Sequence, residues 1–177
     1  MTGSGDSQTT YVIDTCSLTE MHRRYPVDMM KPVWGHVEKL IQDGIATSIE
    51  DVFIELSATD DGILEWAKKQ KEIGFFRSLD SNTQKNASRV LSSHGALLDL
   101  RKRKSSADAF LIGYAIHARC TVVTQEKKSG GPPKVKIPDV CEHYDIPCID
   151  LVTFLRQTGF SMDRVDVGFQ AAEGTTA

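Results

Sequence analysis

No stretch of this 177-residue sequence approaches the roughly 20 consecutive apolar residues that a membrane-spanning helix needs. The first ten residues are rich in Gly, Ser and Thr and carry no apolar core of a secretory signal, so residues 1–10 are expected to be a flexible leader. Neither sign of charge dominates. A formal net charge of −3 excludes a wholly basic chain, although a local basic stripe is enough to contact phosphates. There is no C-x-x-C pair among Cys16, Cys120, Cys141 and Cys148. Cys141, His143 and Cys148 lie close together but lack a fourth ligand at zinc-knuckle spacing, so buried free thiols in a reducing, cytoplasmic setting are expected. The G-x-G-x-x-G turn of dinucleotide-binding folds is missing, and so is any internal repeat. What remains is an ordinary globular composition, in a length suited to one domain that buries roughly two-thirds of its unfolded surface.

Strand and helix signals alternate along the chain. Short apolar runs at Tyr11–Ile13, Ile45–Ile49, Thr121–Thr124 and Pro147–Ile149 predict four strands. Helices are predicted from Ser17, from Pro32 through Ile41 to the stop at Gly44, and over Glu50–Ser57, Ile63–Gln70, Asn82–Leu100, Ser106–Arg119, Asp139–Tyr144 and Val152–Arg156. Strands separated by helices imply an α/β fold, a three-layer α/β/α sandwich around a short, mainly parallel sheet. The domain is expected to span residues 11–160, with 161–177 as a flexible tail lacking apolar rhythm.

Four acids sit at the boundaries of these elements: Asp14 at the end of the first strand, Glu55 within Val52–Leu56, Asp108 at the head of the Ser106 helix, and Glu126 just after the third strand. Each has an ordinary structural role open to it. Asp14 fits a helix cap, Ser105 and Asp108 fit a capping box, Glu55 fits a solvent-facing helix position, and Glu126 fits a loop. Taken together they are harder to explain that way. Ligands in parallel sheets gather at the carboxyl ends of the strands, where Asp14 and Thr124 both stand. Two carboxylates about 4 Å apart repel by roughly 4 kcal/mol at an effective dielectric near 20. Several at one rim call for a neutralising cation, and hard carboxylate oxygens suit Mg2+ or Mn2+ rather than zinc. Such an ion beside a phosphodiester suggests hydrolysis.

Two basic clusters adjoin these acids. Arg101, Lys102, Arg103 and Lys104 precede the Asp108 helix, and Lys127, Lys128, Lys134 and Lys136 follow Glu126. As a solvated helix end and a polar loop they are unremarkable, but they are also candidate RNA-binding residues. Trp34 and Trp66 read as core anchors rather than base-stacking platforms, and the five histidines show no shared-metal spacing.

The strings YVIDT, DVFIEL, SADAFLIGYA and TVVTQE resemble, in order and setting, the motifs of PIN-domain ribonucleases of the VapC-like toxin group. KIPDVCEHYDIPCIDL, with WGHVEKLIQDG upstream, is similar to a poorly characterised PIN branch with toxin–antitoxin members. The resemblance covers Tyr11 to Gly159. It implies a divalent-metal-dependent endoribonuclease with Asp14, Glu55 and Asp108 as core metal ligands, Glu126 as the fourth acid and Thr124 as a polar helper. It also implies an RNA substrate, a cognate antitoxin protein and a homodimer. One departure stands out: many members carry Asp two residues after the Ser/Thr, where this chain has Glu126. Thr15 is expected to support Asp14 by a hydrogen bond.

Two other readings compete. A haloacid-dehalogenase-type phosphatase also places an Asp after its first strand, but it needs a second Asp two residues on, where this chain has Cys16. A catalytically inactive PIN fold serving as an RNA- or protein-binding module is the non-enzymatic alternative.

Overall fold

The computed structural model describes residues 10–59, 62–94, 107–129 and 135–162. The expected leader, the expected tail beyond 162 and the Arg101–Lys104 cluster lie outside the described residues. Five parallel strands form one sheet: β1 (Tyr11–Ile13), β2 (Ala46–Ile49), β3 (Phe76–Arg77), β4 (Thr121–Val123) and β5 (Cys148–Ile149). Flanking it are α1 (Thr15–Arg24), α2 (Lys31–Gln42), α3 (Glu50–Ala58), α4 (Leu64–Glu72), α5 (Ser81–Ser93), α6 (Ala107–Ala118), α7 (Ile137–His143) and α8 (Leu151–Gln157). This is the expected three-layer α/β/α sandwich, with one strand more than predicted and no antiparallel pair.

The strand order, β3-β2-β1-β4-β5, positions the site. The chain winds outward from β1 through β2 to β3, then returns past β1 to place β4 on its other side. The direction of winding reverses between β1 and β4, and at such a switch point the connections diverge and leave a crevice outside the carboxyl ends of the strands. Asp14 and Thr124 follow those two strands directly.

Local chemistry sets the element ends. Asp80 and Asp150 cap α5 and α8, their carboxylates each accepting from a backbone N–H at 2.7 Å (Thr83 and Thr153). Pro32 stands in the first turn of α2. Helix α5 ends at Ser93 with His94 at its C-cap, whereas the sequence predicted continuation to Leu100; residues 95–100 lie outside the described residues. The extra strand β3 follows Gly74, whose φ of +79° makes the turn out of α4.

Both faces of the sheet bury apolar side chains, and Val12, Ile49, Val122 and Val123 are almost wholly enclosed. Trp34 and Trp66 are core residues as expected, meeting edge to face with ring centroids 5.0 Å apart; Trp66 also packs on Phe75 at 5.9 Å. Helices α5 and α6 approach each other most closely at Gly113. A Cβ there would lie 2.7 Å from both the Ala87 nitrogen and the Thr83 carbonyl oxygen. Neither neighbour is a movable side-chain tip, so the helices would have to separate. Gly113→Ala is therefore expected to destabilise the domain by about 1–3 kcal/mol, despite the better helix propensity of alanine, measured by urea unfolding.

Candidate functional site

The end of β1 is held by three neighbours. The Asp14 N–H donates to the Val123 carbonyl at 3.0 Å, Ser17 Oγ donates to that same carbonyl at 3.2 Å, and Ser48 Oγ donates to the Ile13 carbonyl at 2.7 Å. Thr124 is fixed in the same way, its N–H donating to the Ile149 carbonyl at 3.0 Å. The two residues that flank the switch point are thus anchored by backbone before their side chains act.

Asp14 stands at the N-cap position of α1, yet its side chain makes no capping bond. Its carboxylate turns instead across the switch point, where Oδ2 accepts from Thr124 Oγ1 at 2.9 Å and from the Cys16 thiol at 2.6 Å. The ordinary explanation of this acid as a helix cap is thereby removed. Asp14 is 5 % exposed, and burial raises its pKa, opposed by the Cys16 and Thr124 bonds and reinforced by the charge of Glu126.

Glu55 is half-buried in α3, and its carboxylate accepts a hydrogen bond from the Thr15 hydroxyl. The expected support of Asp14 by Thr15 comes from the backbone of Thr15, while its hydroxyl orients Glu55. The first helix after β1 therefore serves two acids, one through Cys16 and one through Thr15. Asp108, in the first turn of α6, has no hydrogen-bond or ion-pair partner among the described residues. Its pKa is pushed up to about 7, first by burial and then by the charges of Asp14, Glu126 and Glu55, while Lys136 pulls the other way. The four acids predicted from sequence thus reach one electrostatic neighbourhood, though their residues are spread over more than 110 positions of chain.

Glu126 is engaged elsewhere. Its carboxylate accepts from Lys136 Nζ at 2.7 Å and from the Ile137 N–H at 3.0 Å, at the start of α7. Thr124 Oγ1 also accepts from the Glu126 N–H at 3.2 Å, so the threonine links the two acids through one hydroxyl. Of the basic candidates, Lys128 pairs with Glu142 at 2.6 Å, whereas exposed Lys127 has no ion-pair partner among the described residues. Two contributors were not recognised from sequence. Cys16 bonds Asp14, lies 3.3 Å from Thr124 Oγ1 and accepts from the Gln125 N–H at 3.2 Å, and Lys136 counters Glu126 and Asp108. Cys16 carried no signal beyond its place two residues after Asp14. Lys136 was visible only as one of several loop lysines.

The chemistry of the donor set fits a hard dication: carboxylate oxygens with a threonine hydroxyl beside them, and Asp108 disfavoured as an anion by burial and by its neighbours. The side chains are not gathered as a ready ligand array. Among the described residues, no three His, Cys, Asp or Glu stand grouped as a metal site. A cleft of about 440 Å³ adjoins the acids and shares Thr124 and Glu126 with them. A larger one, about 740 Å³, lies between α2 and the segment after α8 and includes none of the four acids.

A family model matches residues 11–162, under the description domain of unknown function DUF4411. The chain belongs to the DUF4411 family. The match covers every strand and helix described above, so the acids and the cleft lie within the family's own domain rather than in an appendage. No curated protein matches the sequence. Among the described residues, no helix is long and apolar enough to cross a membrane.

The raised pKa of Asp108 has a direct consequence for stability. Between its ordinary value of 3.8 and the folded value of about 7, the native state holds a proton that the unfolded state has released. Stability of the metal-free protein should therefore fall as pH rises through that window and level off above it, by up to roughly 4 kcal/mol. Asp14 is shifted in the same direction and adds to the slope. Urea unfolding of wild type and Asp108→Asn from pH 4.5 to 8.5 tests this: the variant should have a shallower slope and be the more stable protein at pH 8.

Proposed function

We propose that this DUF4411 protein is a divalent-metal-dependent endoribonuclease, hydrolysing RNA phosphodiester bonds. The observation that carries the reading is the convergence of Asp14, Glu55, Glu126 and Asp108 on the carboxyl edge of the sheet at its switch point, where Asp108 feels the other three charges together. An acid cluster of this kind disfavours the ionised, metal-free state, and a hard cation relieves it. Asp14, Glu55 and Asp108 are the residues that would hold Mg2+ or Mn2+, with Glu126 as a further acid. Bound there, the ion supplies Lewis-acid stabilisation of phosphoryl charge and a nucleophilic water at neutral pH. The chain's own residues prepare the site. Thr124 and Cys16 hold Asp14 in one orientation, Thr15 holds Glu55, and Lys136 pairs with Glu126 while lending positive charge beside Asp108. Lys127 and Lys128 follow directly after Glu126, suited to phosphates on one side of the bond to be cut.

The resemblance to VapC-like PIN domains supports a toxin role, cytoplasmic and restrained by a cognate antitoxin protein, with the toxin itself a homodimer. Ile54, 64 % exposed on α3, offers apolar surface for a partner to cover. A second reading, a PIN-like binding module without catalysis, is favoured by one feature: Glu126 is already satisfied by Lys136 and the Ile137 N–H.

One experiment separates the two. With total RNA as substrate, the purified protein should cleave in Mn2+ or Mg2+ and stop in EDTA. Asp14→Asn and Asp108→Asn should each reduce cleavage by more than about 100-fold, beyond the range typical of outer supporting residues. RNA binding without cleavage in either metal leaves the binding module standing and ends the nuclease reading.

A further inference from the structure

The fourth acid already holds a cation, and that cation belongs to the chain. Both oxygens of Glu126 are committed at the head of α7: Oε1 accepts from Lys136 Nζ at 2.7 Å and Oε2 from the Ile137 N–H at 3.0 Å. The lysine is set there by its own backbone. Lys136 stands at the N-cap of α7, its N–H donating to Asp139 Oδ2 at 2.9 Å. Its carbonyl accepts from the Asp139 and Val140 N–H groups at 3.0 and 3.3 Å. Pro138 in the first turn and buried Ile137 fix the start of the helix. The same Asp139 carboxylate accepts from the Ser129 N–H at 3.1 Å, which ties the segment after Glu126 back to α7. Ammonium and carboxylate are thus brought together by two tethered backbones rather than by two free side chains.

The charge of this ammonium reaches beyond Glu126. At Asp108 it favours the carboxylate, against burial and the other acids. The Glu126 bond raises the Lys136 pKa, and the charges of Glu126 and Asp108 add to the rise against the cost of burial, so the lysine stays a cation. Sites with two metal ions hold them about 4 Å apart between shared carboxylates. A second dication that drew on Glu126 would have to displace the ammonium from Oε1, and it would then stand beside that positive charge. We propose that Lys136 takes the place of a second metal ion: the acids admit one divalent cation, at Asp14, Glu55 and Asp108, and the lysine ammonium neutralises the fourth carboxylate instead. This rests on the metal-centre reading of the acids and adds to it the number of ions and the cause of that number.

The test counts Mn2+ bound per chain at saturation, by equilibrium dialysis of the full chain at pH 8 without RNA. Wild type should take one ion. Lys136→Met keeps the reach of the side chain but removes its charge, leaves Glu126 Oε1 open, and should take two. Lys136→Arg keeps the charge and should stay at one. Lys136→Met combined with Glu126→Gln should return to one, because the freed carboxylate is gone. Two ions about 4 Å apart couple magnetically, so the electron paramagnetic resonance of Lys136→Met should show a coupled Mn2+ pair that wild type lacks. Thermal melts establish that each variant is folded, and Lys136→Gln serves as a second neutral variant. Wild type taking two ions, or folded neutral variants still taking one, overturns the inference and leaves the metal centre standing. An added ion that shows no coupling, or that survives Glu126→Gln, overturns it equally. Wild type taking none ends the metal centre, and this inference with it.

Discussion

Like-charge repulsion inside a low-dielectric crevice is the constraint that organises this molecule's site. The switch between β1 and β4 brings Asp14 to a place where water is scarce, and α3 and α6 deliver Glu55 and Asp108 to the same neighbourhood. Burial disfavours the anions of Asp14 and Asp108, and neighbouring charge adds to the penalty. A fold that depended only on its core would gain by replacing these acids with apolar or amide side chains. Their presence together means that stability is being given up at one edge of the sheet, a pattern expected where a charged ligand or reacting group has to be met.

The surrounding residues divide this tension unevenly. Asp14 has its repulsion softened by two donors, Thr124 and Cys16, so that it stays oriented although deeply buried. Glu55 has one donor, Thr15, and Glu126 has a full cation and a backbone N–H. Asp108 has none of these among the described residues, and burial and the neighbouring charges push its pKa up to about 7. Two carboxyls held in place, one neutralised by lysine and one left poised near neutral pH form a graded set.

Much of this was legible in the chain because it depends on local pattern. Strand-ending acids at Asp14 and Glu126, the apolar rhythm of α2 and the alternation of strand and helix signals are written in adjacent residues, and they point to the fold class and the four acids. The edge strand β3 was not legible. It has two residues, Phe76 and Arg77, too few to show an alternation, and it owes its existence to the neighbouring β2 rather than to propensity. The role of Asp14 was undecidable from sequence, since a helix cap and a site carboxylate occupy the same position after a strand; only its side chain's bond across to Thr124, without a capping bond, separates them. The parts played by Cys16 and Lys136 and the attachment of Gln125 to Leu151 are contacts between segments distant in sequence. Nothing in local spacing encodes which loop lysine meets which acid.

The account turns on whether the acids receive a cation at the expense of a proton. Calorimetric titration of the metal-free protein with Mn2+, repeated in buffers of different ionisation enthalpy, measures both quantities together. With Asp108 titrating at about 7, binding should release more protons per ion at pH 6 than at pH 8.5, and Asp108→Asn should reduce the release at pH 6. Absence of Mn2+ binding, or binding with the same proton count at both pH values and in the variant, would contradict the claim that these carboxylates form a metal centre.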